Sequence, residues 1–462
     1  MPDNKNLEKL LGDPKKAIRG MVLAFFVAMA VIEINQFVDT FWVAGLGNIS
    51  SSAVATVVPI YGLMMCAGVG IGVGATATIS YRIGQGEFGK ANQLAVNSIL
   101  LSIICAVIAS VLIIIFAKPL IYLMGAEDLY DEGFKYLLPL ALLSPALLCN
   151  SVLGGILRAE GAVKKSTIVQ MSAAVFNMVL DPIMIYGLEL GVFGAGLSTA
   201  LASMLALSIG LYWYARGRMV IKMDWRELRG NRGSMGEVLE VGGPKTVQNV
   251  ISNTTDLIQR VFIIVAGGTN AVMYYNYTWK YIGLVNLPGR AFENAMIPVC
   301  SVAYGQKDLE KMKAGFYYTA KMVMMFGLLF AALIFIFSEP LISVLTYEES
   351  MMELRSNFVW TLRVSAFLIP FSALMGIGSS MLQSLKKSKT SMNYYMIWGF
   401  IKLGMYAIAA YAFHSFEYII YSMVAVHVFG GVCLMYLAYR EYMRISRECA
   451  DGTVSVAGSE DR

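Results

Sequence analysis

Two short runs of this sequence carry acids where acids are costly. Glu33-Ile-Asn35-Gln36-Phe37-Val-Asp39-Thr-Phe-Trp42 and Asn177-Met-Val-Leu-Asp181-Pro182-Ile-Met-Ile-Tyr186 each set a carboxylate and amides inside a long apolar stretch. An ionisable side chain within a membrane span costs roughly 2.5 to 3.5 kcal/mol on insertion scales, so each one is a candidate functional residue. Residues four apart on a helix lie about 40° around its axis, so Asn35 shares a face with Asp39, and Asn177 with Asp181. Two carboxyl groups that meet in a low-polarity interior cannot comfortably both be ionised; one holds a proton, or the pair holds a small cation. Either outcome ties the site to an ion gradient. The competing reading sets Asp39 near the outer surface in contact with water and makes Asp181 only a kink residue before Pro182. Glu33 lies about 120° around from Asp39 and is either a second cavity acid or an interhelical hydrogen-bonding residue. Gln36 joins Glu33 and Asn35 among the candidate cavity residues.

The second half carries mixed charges in its apolar stretches: Asp256, Arg260, Lys280, Arg290, Glu293, Arg363 and Lys402. The spacing of Asp256 with Arg260 and of Arg290 with Glu293 is that of internal ion pairs. Lys280, Arg363 and Lys402 are then left without an evident partner. They read either as a cationic half-cavity for an acidic or zwitterionic cargo, or as residues in further interhelix pairs, with Arg363 extended to the outer interface.

The elements that must position these residues are membrane helices. The 462 residues are 57% hydrophobic and 15% charged, far from the roughly one-quarter charged residues of ordinary globular domains. A span needs about 20 mostly apolar residues, and apolar runs bounded by charge, Gly or Pro give six spans in 17–215 and six in 244–440. This predicts an all-α integral membrane protein of twelve transmembrane helices in two pseudo-symmetric six-helix bundles. Residues 1–16 form a cytoplasmic segment, 17–215 the first lobe, 216–243 a cytoplasmic linker, 244–440 the second lobe and 441–462 a cytoplasmic tail. The polar start of the chain, with Asp3, Lys5, Glu8 and Lys9, is not a cleavable signal peptide, so the first span acts as its own signal.

Basic residues recur in every second loop: Lys15 and Arg19; Arg82 and Lys90; Arg158, Lys164 and Lys165; Arg216, Arg218, Lys222, Arg226, Arg229 and Arg232 in the linker; Lys307 and Lys311; Lys386 and Lys387; Arg440 and Arg444. The alternate loops are acidic, with Glu127, Asp128, Asp131 and Glu132, then Glu189, then Glu348, Glu349 and Glu353. The positive-inside bias puts both termini in the cytoplasm of a multi-pass plasma-membrane protein. The net charge of +5 is therefore a topology signal and not a nucleic-acid patch. Shifting the chain so that Gly84 falls on Gly305 also superposes Ser80, Gln85 and Lys90 on Ser301, Gln306 and Lys311, and Lys118-Pro-Leu-Ile on Glu339-Pro-Leu-Ile. Each half has an even number of spans, so the halves share an orientation and are related about an axis along the membrane normal.

Other signals lead nowhere. Gly84-Gln-Gly-Glu-Phe-Gly89-Lys90 has most of a phosphate-binding loop, but Ala91 replaces the magnesium-holding hydroxyl and no strand precedes it. Gly68, Gly70, Gly72 and Gly74 lie within a span, where small residues allow close helix contact. There is no HExxH or GxSxG, and the histidines are His414 and His427. An enzyme is not expected. The six cysteines show no CxxC pairing and read as reduced packing residues.

At Gly12-Asp-Pro-Lys-Lys-Ala-Ile18, Asp39-Thr-Phe-Trp-Val-Ala-Gly-Leu-Gly47, Gly154-Gly-Ile-Leu-Arg-Ala-Glu-Gly161 and Asn177 to Tyr186 the sequence resembles the multidrug and toxic compound extrusion (MATE) transporters, within them the prokaryotic DinF-like branch. The resemblance implies a V-shaped pair of six-helix bundles and export of small amphipathic compounds in exchange for H+ or Na+. It also implies an ion site made by Asp39, Asn177, Asp181 and Thr199, with Na+ as the metal where sodium is used, no cofactor beyond the coupling ion, and action as a monomer in the lipid bilayer. Such relatives bend a proline-bearing first span, whereas here no Pro lies between Pro14 and Pro59. The alternative, prompted by the cations of the second half, is a flippase or exporter of an anionic lipid-linked or zwitterionic substrate.

Overall fold

Long apolar runs become long helices because a helix pairs its backbone N–H and C=O groups within the segment, as a hydrocarbon environment demands. The computed structural model describes residues 4–123, 126–224, 232–344, 346 and 352–450, and these are helical with no strand among them. Linker residues Arg226 and Arg229 and loop acids Glu348 and Glu349 lie outside the described residues.

The first half comprises α1 (Asn4–Leu11), α2 (Pro14–Ala44), α3 (Asn48–Gly84), α4 (Phe88–Leu123), α5 (Tyr130–Leu142), α6 (Ser144–Ala159), α7 (Val163–Pro182) and α8 (Gly191–Ala215). The second comprises α9 (Arg232–Val285), α10 (Leu287–Gly305), α11 (Leu309–Ser343), α12 (Arg355–Ala366), α13 (Ile369–Ser384), α14 (Ser388–Tyr411) and α15 (Phe416–Ala450). Asp13 caps α2 by accepting from the backbone N–H of Lys15 at 2.8 Å and of Lys16 at 3.1 Å, with Pro14 in the first turn.

Among the described residues seven helices are long and apolar enough to cross a membrane, or nine if the bent pairs α5–α6 (57°) and α12–α13 (41°) each count as one span. The remaining passes are the more heavily charged ones. They are α9 before its break at Gly268, where φ is 65°, the rest of α9 with α10, and α14; nine plus these three make twelve. Helix α9 begins at Arg232, within the stretch expected to be linker up to residue 243, so Gly242, Gly243 and Pro244 are helical.

The two halves pack reciprocally. A Cβ on Gly84 would collide with the Val302 carbonyl oxygen, and one on Gly305 with that of Tyr81. The shift that superposes Gly84 on Gly305 also superposes Tyr81 on Val302. Each residue of the repeat therefore touches the counterpart of the residue that touches its own counterpart, which is the signature of a two-fold axis passing between α3 and α10. The glycine run of α3 serves the same close packing: Gly70 and Gly74 lie against α9 at Gly242, and Gly72 against α6 at Ser151.

The seam between the halves is tightest at the end that carries both termini and the basic loops. There Ile18, Met21 and Phe25 of α2 join Met296, Val299 and Cys300 of α10 in one apolar cluster. Beside it Arg82 of α3 pairs with Glu237 of α9 at 2.9 Å, and Lys386 pairs with the same carboxylate at 2.7 Å. The Lys386 ammonium also stands 4.0 Å from the Tyr81 ring centroid.

Candidate functional site

In the first bundle, α2, α7 and α8 bring their polar residues to one point. Pro182 ends the regular pairing of α7, and Ile183–Gly187 continues as a wider π turn, a feature frequent at functional sites. Tyr186, at the end of that turn, donates to the Trp42 carbonyl at 2.5 Å and so pins the far end of α2 to α7.

Below this clasp the Asn35 amide donates to Asp39 Oδ2 at 3.1 Å and to Asn177 Oδ1 at 2.9 Å. The Asn177 amide donates to Asp181 Oδ1 at 2.9 Å and to Ser198 Oγ at 3.3 Å, with Thr199 Oγ1 at 3.5 Å. The Ser198 hydroxyl donates to Asp181 Oδ1, and the carboxyl groups of Asp39 and Asp181 are near enough to act on each other electrostatically. Asn177 and Asp181 are 3% and 2% exposed. Asp39 is half-buried, and its Oδ1 is enclosed with no hydrogen-bond partner among the described residues.

The two acids thus face each other inside the bundle rather than opening to bulk water, and Asp181 is more than a kink residue. A carboxyl pair this close needs a shared proton or a cation between its members. The oxygen donors around it, including Thr199 Oγ1, are of the kind that bind hard cations. Ser198 was not singled out by sequence: it is one small hydroxyl among several in a Gly-, Ala- and Ser-rich helix, and no pattern separates it from Ser203 or Ser208.

Next to this site a cavity of about 530 Å³ lies between the two halves, within the size range of small-molecule pockets. Glu33 and Gln36 of α2 line it, one turn from Asn35 and Asp39, and Arg290 and Glu293 of α10 face them. Glu33 is a cavity acid, and Arg290 reaches across the gap to it at 3.7 Å.

The ion pairs expected from spacing form only in part. Arg290 acts on Glu293 as its spacing suggests but also reaches Glu33, and the Glu293 carboxyl lies against Gly376 of α13. Asp256 pairs with Lys402 of α14 at 2.9 Å, and Arg260 is exposed. Neighbouring helices offered closer partners than the same helix did. Asp256 and Lys402 are therefore not in the central cavity; they line a separate pocket of about 220 Å³ in the second bundle, with His427. Lys280 sits over the rings of Phe37 and Tyr277, 6.0 and 5.8 Å from their centroids, and Arg363 donates to Ser338 Oγ at 2.7 Å. None of the three cations thought partnerless is isolated.

Two charged cavity residues were missed. Arg158 was read only as a loop-edge charge, and Lys245 follows Gly242-Gly243-Pro244, which looks like a boundary; the early start of α9 moves Lys245 inside, and both line the cavity.

A family model described as MatE matches residues 24–183 and 244–406. The multidrug export protein MepA of Staphylococcus saprophyticus is 25% identical over 335 residues, 71% of this chain and 71% of that protein. A solved outward-facing conformation of a multidrug resistance MATE family transporter of the MOP superfamily superposes with a TM-score of 0.90 at 25% identity, covering 95% of this chain and 98% of that one. So does a MOP superfamily transporter from Pyrococcus furiosus, for which reverse polarity of the binding pocket suggests a different function, with a TM-score of 0.90, 25% identity and coverage of 96% and 99%.

Proposed function

Because this chain belongs to the MatE family of multi-pass membrane exporters, we propose that it moves small amphipathic organic molecules out of the cell in exchange for H+ or Na+ taken up at Asp39 and Asp181. The family places the chain among multidrug exporters; the coupling ion, its site and the direction of the termini are our reading. The observation that carries it is the continuous chain of hydrogen bonds from Asp39 through Asn35 and Asn177 to Asp181, Ser198 and Thr199.

Helix α2 connects the ion to the cargo. One face of it presents Asn35 and Asp39 to the buried network, and another presents Glu33 and Gln36 to the cavity. Neutralising the carboxyl pair with a proton or sodium changes what holds α2 against α7, and the same helix forms a cavity wall. Occupancy by ion and by cargo is then coupled through one rigid element, with the reciprocity that linkage requires. Helix α2 runs unbroken from Pro14 to Ala44, so with no proline in between, its movement is that of a continuous rod or a bend without a fixed hinge.

As arranged, the amide nitrogens of Asn35 and Asn177 point at carboxylate oxygens, which suits a network carrying a proton. To hold sodium, Asn177 would turn its carbonyl oxygen toward the pair. The basic end, which the charge bias assigns to the cytoplasm, is the sealed one, and this arrangement is the outward-facing state. Small-molecule cargo enters the cavity from the cytoplasm when that seal opens and leaves on the far side when it closes.

The test is efflux from reconstituted vesicles under separately imposed proton and sodium gradients. Asp39→Asn and Asp181→Asn are expected to abolish the gradient-driven component while the protein stays folded and still binds cargo. Full gradient-driven efflux by either variant removes the proposal.

A further inference from the structure

The charges around the central cavity do not balance. Three cations, Arg158, Lys245 and Arg290, line it with two acids, Glu33 and Glu293. Arg290 is held by Glu33 across the gap. Glu293 of α10 is acted on by Arg290 and by Lys245 of α9, so these two cations share the two acids. Arg158 remains, with no hydrogen bond and no acidic partner among the described residues.

Its surroundings are polar without being anionic. A guanidinium nitrogen of Arg158 lies beside Gly154, whose other side-chain neighbours are Ser166 and Gln170; the Gln170 amide is committed to donating to Ser166 at 3.1 Å. Neither neighbour neutralises a cation. A half-buried, unpaired guanidinium at the closed floor of a cavity is unfavourable unless something else supplies the anion. Arginine presents its donors in a planar fork that matches a carboxylate, sulfonate or phosphate through two parallel hydrogen bonds. Above this floor the walls turn apolar at Phe25, Ala28, Met29, Met65 and Val69.

We propose that Arg158 is the docking residue for an acidic group on the cargo, so that this exporter prefers amphipathic organic anions and zwitterions over permanent cations of the same shape. The acid sits on Arg158 at the floor, and the apolar body lies along the Phe25–Met29 and Met65–Val69 walls. The assignment rests on the export function proposed above but concerns binding alone, and binding needs no gradient.

The test uses rhodamine B, which carries a free carboxylate, and its ethyl ester, a cation of nearly the same shape, titrated by fluorescence anisotropy into the purified full-length protein in neutral-lipid nanodiscs. The carboxylate form is expected to bind about tenfold or more tightly than the ester, about 1.4 kcal/mol per factor of ten. Arg158→Gln should erase that preference by weakening the carboxylate form only, and Arg158→Lys should keep part of it. Equal or tighter binding of the ester by the wild type overturns the proposal, and so does an Arg158→Gln variant that weakens both dyes alike. Adding phosphatidylglycerol to the nanodiscs should not displace the dye; displacement that disappears in Arg158→Gln would assign the residue to a lipid headgroup and overturn its role for soluble cargo. Asp39→Asn is expected to retain the dye preference while losing gradient-driven efflux, which separates failure of this assignment from failure of the coupling mechanism.

Discussion

Replacing Glu237 with glutamine removes the single carboxylate that holds Arg82 of the first bundle and Lys386 of the second at the sealed end. The pairs are short, 2.9 and 2.7 Å, and their side chains are only 11 to 17% exposed. Removing one partner of a fully buried pair costs about 3 to 5 kcal/mol, whereas an exposed pair is worth about 0 to 1 kcal/mol. A partly buried pair falls between, at about 2 kcal/mol. Of these two pairs Arg82–Glu237 crosses between the bundles and Lys386–Glu237 lies within the second, and Arg82 keeps another partner, Glu87, at 2.7 Å on its own side. The loss therefore falls on the sealed state alone and should raise the population open at this end about 30-fold.

The chain supplies its own reporter. Cys300 is 0% exposed, and a Cβ built on Gly315 would sit 3.4 Å from both its sulfur and Pro14 of α2. Its thiol packs on α11 beside the Met312 carbonyl, in the cluster that Ile18 and the Pro14 turn of α2 complete, so part of its cover leaves when the seal parts. In a variant with the other cysteines replaced, the rate of maleimide labelling at Cys300 should rise about 30-fold on Glu237→Gln, in proportion to the open population. Glu87→Gln, which breaks a pair within one bundle, should change the rate less than about fivefold. A Glu237→Gln rate within about twofold of its parent, in protein that still melts cooperatively, would refute the assignment of this ion cluster as the latch.

Ser198→Ala deletes a hydroxyl that donates to Asp181; the loss of about 1 to 2 kcal/mol should cut gradient-driven efflux roughly 5- to 30-fold without unfolding the protein, and unchanged efflux would exclude Ser198 from the site. Glu160, in the turn between α6 and α7, accepts from the Tyr214 hydroxyl at 2.5 Å and from the backbone N–H groups of Val220 and Ile221 at 2.9 and 3.1 Å. Burial pushes its carboxyl from 4.5 up to about 7. The folded chain therefore binds this proton more tightly than the unfolded chain. The stabilisation is complete below the unfolded value and is lost as pH rises through about 7. The melting temperature of the wild type should fall between about pH 5 and about pH 8, and Glu160→Gln should flatten that fall; a slope unaffected by the substitution would show that other groups set it.

The acids of the hydrogen-bonded network could be picked out from the sequence because a carboxylate in a long apolar run stands out, and helical spacing shows which amide shares its face. The hydroxyl of Ser198 could not, since one serine in a small-residue helix looks like the next until α7 is packed against it. The same limit explains the charges of the second half. The spacing of Asp256 with Arg260 permitted a pair, but Lys402 on another helix was the partner that packing delivered, and Arg290, which acts on Glu293 as spaced, also reaches Glu33 on another helix.

What the chain's residues determine by themselves is the all-helical, multi-pass architecture and its doubling. Hydropathy over a span's length, charge bias in loops and repeated residues are properties of contiguous sequence and add up without knowledge of neighbours. What only the tertiary structure decided is which charges meet, where the seal lies and which cation faces the cavity unpaired. Those depend on how one helix is rotated against another. Electrostatic energies in a low-dielectric interior change steeply over a few ångströms, a distance that sequence separation does not encode.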